Sequence, residues 1–138
     1  MNNKRPDKLR VVYSKTGLAR FISHLDLLRI FHRAVSRAGI PVKYSSGFNP
    51  HPRISFAPPL KLGMIGRNEL LDIHLDEPIE ADPVPSRLNR VLPEGIRVHE
   101  AWKLPAQASS LGKSIREADY SVRLSGPYRL APADIAVF

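Results

Sequence analysis

Five histidines, His24, His32, His51, His74 and His99, supply the side chains whose ordinary titration lies near neutrality, and no cysteine accompanies them. His24 follows Lys15, Arg20 and Ser23; His51 lies beside Gly47, Asn49 and Arg53. Cations and hydrogen-bonding groups of this kind suit a phosphate. An imidazole pair next to a cation could also move protons during phosphodiester cleavage without a metal, which makes His24 and His51 the catalytic candidates. No H-x-x-x-H or H-E-x-x-H pair occurs, so no metal site is expected. The missing thiols exclude disulfides, thiolate zinc, a cysteine nucleophile and a self-ligated iron–sulfur cluster. The G-x-x-x-x-G-K-[ST], G-x-G-x-x-G and G-x-S-x-G patterns are absent as well, leaving ATPase, dinucleotide and serine-hydrolase chemistry without support, and no cofactor is expected.

The charge is unevenly spread. Residues 1–53 hold eleven Lys and Arg against Asp7 and Asp26, a net of +9, whereas residues 54–138 hold ten against eleven Asp and Glu, a net of −1. A basic excess confined to one part of the chain is a footprint for a polyanion, since each neutralised phosphate releases counterions. The alternative is a solvated basic face with no partner. With 43% hydrophobic and 25% charged residues in a length of 138, the chain reads as one ordinary domain. It has no apolar run of the roughly 18 residues that cross a bilayer and no signal core, so a cytoplasmic location is expected.

These residues need elements to position them. Leu9 to Ser14 alternates as a strand, and Ser23 with Asp26 opens a helix whose Leu27, Leu28, Phe31, Ala34, Val35 and Ala38 recur at helical spacing until Gly39 and Pro41. Strands are expected at Arg53–Ala57, Glu69–Leu75 and Ile96–Trp102, with a shorter helix capped by Asp82 and opened by Pro83 before the last of them. The order predicts an α+β, ferredoxin-like βαββαβ domain: a four-stranded antiparallel sheet, first and third strands central, two helices on one face. Its bounds are 9–105, after a basic tail at 1–8. A small, polar linker at 106–118 and an extra strand or start of a further subdomain at 119–138 complete the expected organisation.

Five of the 13 prolines fall within Pro41–Pro59, stiffening the loop around Gly47. A rigid loop on a folded scaffold is a common carrier of function. His24 occupies the first helical turn, where free N–H groups favour an anion. Lys15, Arg20, Ser23 and His24 are therefore expected to share one surface cleft with Gly47, Asn49, His51 and Arg53, and Lys43, Arg29 and Arg33 add cations around it. His32 reads as part of the polar helix stripe with Arg29, Arg33 and Arg37, usually a solvated face. His74 and His99 belong on the open sheet face with Arg10 and Arg97, which lacks the exposed aromatics that stack bases in RNA-recognition sheets.

The blocks Gly17-Leu18-Ala19-Arg20-Phe21-Ile22-Ser23-His24-Leu25-Asp26-Leu27, Tyr44-Ser45-Ser46-Gly47-Phe48-Asn49-Pro50-His51-Pro52 and Leu92-Pro93-Glu94-Gly95-Ile96 resemble a bacterial radical-SAM-linked domain of unknown function, over roughly residues 8–104. The resemblance implies a context, beside or fused to a cobalamin-binding radical SAM protein, and not an activity. Ser45 or Ser46 stands where glutamine is common in that family. Lacking cysteines, this chain would be an accessory to radical chemistry and not its enzyme. Three readings follow. The first is an RNA-binding accessory domain that positions a structured RNA for a radical SAM partner. The second is a module that docks on that protein through Phe48, Pro50, Pro52 and Phe56. The third is a metal-independent endoribonuclease using His24 and His51.

Overall fold

Alternation of Leu9, Val11 and Tyr13 with polar neighbours buries one side of the first strand, and a computed structural model, which describes residues 7–127 and 131, extends that strand, β1, over Lys8–Lys15. A 3-10 turn at Gly17–Phe21 leads to helix α1, His24–Arg37; then come β2 (Ile54–Phe56), β3 (Gly66–His74), helix α2 (Val84–Asn89), β4 (Ile96–Leu104) and a one-turn helix α3 (Leu111–Ser114). All pairings are antiparallel, in the order β2-β3-β1-β4. The two longest-range pairings put β1 between β3 and β4, which is the ferredoxin-like α+β arrangement with β1 and β3 central. Among the described residues no helix is long and apolar enough to cross a membrane.

The core lies between one sheet face and the helices. Leu9 pairs with Ile73 and Val11 with Leu71, all fully buried, and α1 lays Leu27, Phe31, Ala34 and Val35 on them. Each of the larger of these side chains contributes roughly 1.5–3 kcal/mol by leaving water, and Ala34 less. Phe31 meets Tyr13 edge-on at 5.0 Å and Phe56 at 5.8 Å. The expected start of α1 is found: the Ser23 hydroxyl accepts the Asp26 N–H at 3.1 Å. At its other end, Arg87 of α2 donates to the carbonyls of Ala38 and Gly39, satisfying the groups a helix leaves free there. The start of α2 differs from expectation. Pro83, already helical at φ −79°, ψ −8°, stands at the cap position and no side-chain hydrogen bond closes it, so Asp82 does not cap. Gly95, at φ +89°, accepts the Thr16 N–H, and a Cβ there would meet Thr16 O at 2.6 Å, so only glycine fits this turn.

The opposite sheet face carries His74, Arg10, Arg97 and His99 as expected, but it is not open throughout. Lys8 donates from Nζ to Ala108 O at 2.9 Å, Arg10 to Ser109 O at 3.2 Å, and Leu111, 2% exposed, packs there outside the main core. The 106–118 segment, read from composition as a linker, thus begins as a strap over the sheet. Residues 119–125 form no strand; Tyr120, Val122 and Leu124 alternate, yet all are exposed. The remainder of the expected extension, 128–130 and 132–138, and residues 1–6 of the basic tail lie outside the described residues.

Candidate functional site

The proline-rich segment turns out to be a short hairpin hung from the end of β3. Val42 bridges Leu75, Lys43 N–H donates to His74 O at 2.7 Å, Arg53 N–H to Lys43 O at 2.7 Å, and His74 N–H to Arg53 O at 3.0 Å. Above this base Tyr44 bridges Pro52 and Ser45 N–H donates to His51 O at 2.9 Å. The Ser45 hydroxyl closes the tip. Its oxygen accepts the His51 N–H at 3.1 Å and stands 3.1 Å from His51 Nδ1, while Asn49 O lies 3.4 Å from the same nitrogen. Gly47, at φ +123°, lets five residues turn between these partners. Buried Val42 and Pro52 anchor the base, and Phe48 projects fully from the tip.

The hairpin lies along the flank of α1. His51 stacks on His32, ring centroids 5.8 Å apart and planes 23° from parallel. The two rings, with Ser45, Arg53 and Ser55, line a cavity of about 250 Å³ that no carboxylate enters. Burial, and then the neighbouring His51, hold the His32 imidazole below its ordinary pKa, so its neutral form is favoured. Across β2, His74 Nε2 stands 3.1 Å from the Ser55 hydroxyl. Its pKa is lowered too, by burial first and then by Arg53, Lys8 and Lys43, with Asp72 opposing. Exposed Arg33, Arg37, Lys43 and Arg53 have no carboxylate partner among the described residues, whereas Arg29 pairs with Asp26 at 3.4 Å. Arg53, on the cavity wall with no carboxylate beside it, can therefore attract an anion.

A larger groove of about 510 Å³ lies between α2 and β4, with Arg90, Arg97 and His99 on its walls. There Asn89 accepts from Val98 N–H and donates to Val98 O, both at 2.8 Å, covering the backbone of an edge strand. His99 sits where the β1–β4 register slips and stands 2.8 Å from the Ser14 hydroxyl. Among the described residues no group of three or more His, Asp or Glu could hold a metal.

The single cleft expected from sequence divides in two. His24 lies on the same flank of α1 as His32 but eight residues earlier, roughly 12 Å along the axis, where its ring meets Phe56 edge-on at 5.3 Å. Lys15 is 3% exposed and donates to Ile22 O, so it braces the turn before α1 and is not available to a phosphate. Desolvation lowers its pKa against the opposing pull of Glu69. Arg20 lies over the Phe21 ring at 4.7 Å with a buried, unpartnered Nε, and the Ser23 hydroxyl is committed to its cap. Gly47, Asn49, His51 and Arg53 do gather at the hairpin, with Lys43 at its base and Arg29 and Arg33 exposed on the adjacent helix. Of the four expected partner contacts, Phe48 and Pro50 are exposed; Pro52 is buried, and Phe56 is wedged between His24 and Phe31. His32, Ser45, Ser55 and His74 were not singled out for this site by the sequence. Only the i, i+4, i+8 spacing of His24, Leu28 and His32, which fixes one flank of the helix, hinted at His32.

Residues 8–136 match a family described as an uncharacterized protein conserved in bacteria (DUF2344). No curated protein matches the chain.

Proposed function

The chain belongs to that bacterial family, and we propose that it is an RNA-binding accessory domain that grips a structured RNA by its phosphate backbone and positions it for a radical SAM partner. One observation carries the RNA part: the carboxylate-free cavity between α1 and the hairpin has Arg53 on its wall, and exposed Arg33 of α1 and Lys43 of the hairpin likewise have no acidic partner among the described residues. Phosphate contacts of this kind fix register and orientation on a nucleic acid without reading its sequence. The partner rests on the resemblance of the Ser23-His24-Leu25-Asp26 and Gly47-Phe48-Asn49-Pro50-His51-Pro52 blocks. A protein-docking role without RNA is favoured by a different observation, the complete exposure of Phe48 at the hairpin tip.

Fluorescence anisotropy at low salt, with total transfer RNA and ribosomal RNA fragments as probes, separates the two. The expected result is binding that the Arg33→Glu/Arg53→Glu double variant weakens about tenfold or more and Phe48→Ala leaves nearly unchanged. Absence of binding to either RNA pool would overturn the RNA-binding reading.

A further inference from the structure

We infer that His32 and His51 form a general acid–base pair that cleaves RNA phosphodiesters in the cavity between α1 and the hairpin, an inference that rests on the RNA-binding reading. The fold brings two imidazoles, 19 positions apart in the sequence, into one opening with a guanidinium beside them. His24, the partner that chain order suggested for His51, is two helical turns away and packed on Phe56.

Two imidazolium cations 5.8 Å apart repel each other, so the doubly protonated pair is disfavoured. A singly protonated pair places a base and an acid in the same cavity. His32 takes the part of the base, since burial and His51 both favour its neutral form. His51 takes the part of the acid. Its Nδ1 faces the Ser45 hydroxyl and the Asn49 carbonyl; the carbonyl, an acceptor only, favours a proton on Nδ1 and leaves Nε2 for the substrate. Arg53, on the cavity wall, supplies positive charge where a phosphorane would gather negative charge.

The step balances without any co-reactant. Neutral His32 removes the proton of a ribose 2′-hydroxyl, the 2′-oxygen forms a bond to phosphorus, and the bond from phosphorus to the 5′-oxygen breaks. Protonated His51 delivers its proton to that leaving oxygen. The products are a 2′,3′-cyclic phosphate and a 5′-hydroxyl, and proton exchange with water resets the pair. Nothing is oxidised or reduced, and the nucleophile restricts the substrate to RNA.

The test uses the whole chain with a 5′-fluorescein RNA oligonucleotide in EDTA, following binding by anisotropy and products by gel and mass spectrometry. Cyclic-phosphate ends are expected. His32→Gln and His51→Gln should each slow cleavage about a hundredfold or more while binding is retained, and His24→Gln should leave the rate within about twofold. An oligonucleotide with deoxyribose at the cleaved position should bind and stay intact. RNA that binds but is not cut overturns the acid–base pair and leaves the binding reading standing, as does cleavage indifferent to both variants. RNA that does not bind overturns both.

Discussion

Asp72 is 1% exposed, on the sheet face away from the main core, and its carboxylate has company: Arg10 donates to both oxygens at 2.8 and 3.0 Å, and Lys8 Nζ stands 3.7 Å away. The pairing is felt by the guanidinium, whose pKa is raised chiefly by its hydrogen bond to Asp72. Two cations also hold the strap, through Ala108 O and Ser109 O. Removing the carboxylate leaves them with each other and little water. Asp72→Ala should therefore lower unfolding stability by about 3–5 kcal/mol in urea titration and speed proteolysis after Pro105. An unshifted urea midpoint would show that the pair does not hold this face together. Breaking one half of a buried ion pair costs more than the pair itself provides, so this predicts the effect of the loss and not a net worth of the bridge.

At the scale of elements, β2 is only three residues long, and its edge of the sheet is held by the hairpin and flanked by His32 on one side and His74 on the other. Both imidazoles have lowered pKa values in the fold, burial being the larger cause for each. The unfolded chain then binds more protons than the folded one in the window from the ordinary value of 6.5 downward, so stability is full above that value and is lost as pH falls through the lowered folded values. The hairpin should loosen first. Hydrogen exchange at the Lys43, Ser45 and Arg53 amides, corrected for intrinsic rate, is expected to rise on acidification toward pH 5 more than at the β1 amides, and His74→Gln should blunt the effect. Equal protection of the hairpin at both pH values would contradict this. Much of the element pattern was legible beforehand because it depends on local rules: alternation found β1, and Ser23 and Asp26 found the start of α1. The site was only half legible. Gly47, Asn49, His51 and Arg53 share one hairpin, as their closeness along the chain suggests. Which helical turn they meet depends on Val42, Lys43 and Arg53 gripping the end of β3, a long-range pairing that no local pattern encodes. Lys15 was misread because its neighbours make it look like surface; only the turn that folds Ile22 O over its Nζ buries it. Tyr120, Val122 and Leu124 show the reverse, since alternation that no neighbouring strand pairs with yields no strand.

Across the whole molecule the charge asymmetry of the sequence becomes a spatial one. The +9 of residues 1–53 does not spread evenly: Lys8 and Arg10 are consumed by Asp72, Lys15 is buried, and Arg29 is matched by Asp26. Among the described residues of this segment, Arg33, Arg37, Lys43 and Arg53 remain exposed without an acidic partner, all on α1 and the hairpin, with Arg53 on the wall of the His32–His51 cavity. RNA binding through such a surface is driven by release of counterions, and its salt dependence counts the phosphates engaged. The most direct measurement is the affinity of the chain for transfer RNA at a series of salt concentrations, compared with that of Arg33→Glu/Arg53→Glu. Four engaged phosphates predict a slope of log K against log salt of roughly −3, and the double variant should bring it closer to zero by about 1.5. A slope near zero, or one that the double variant leaves unchanged, would contradict the assignment of this surface to RNA.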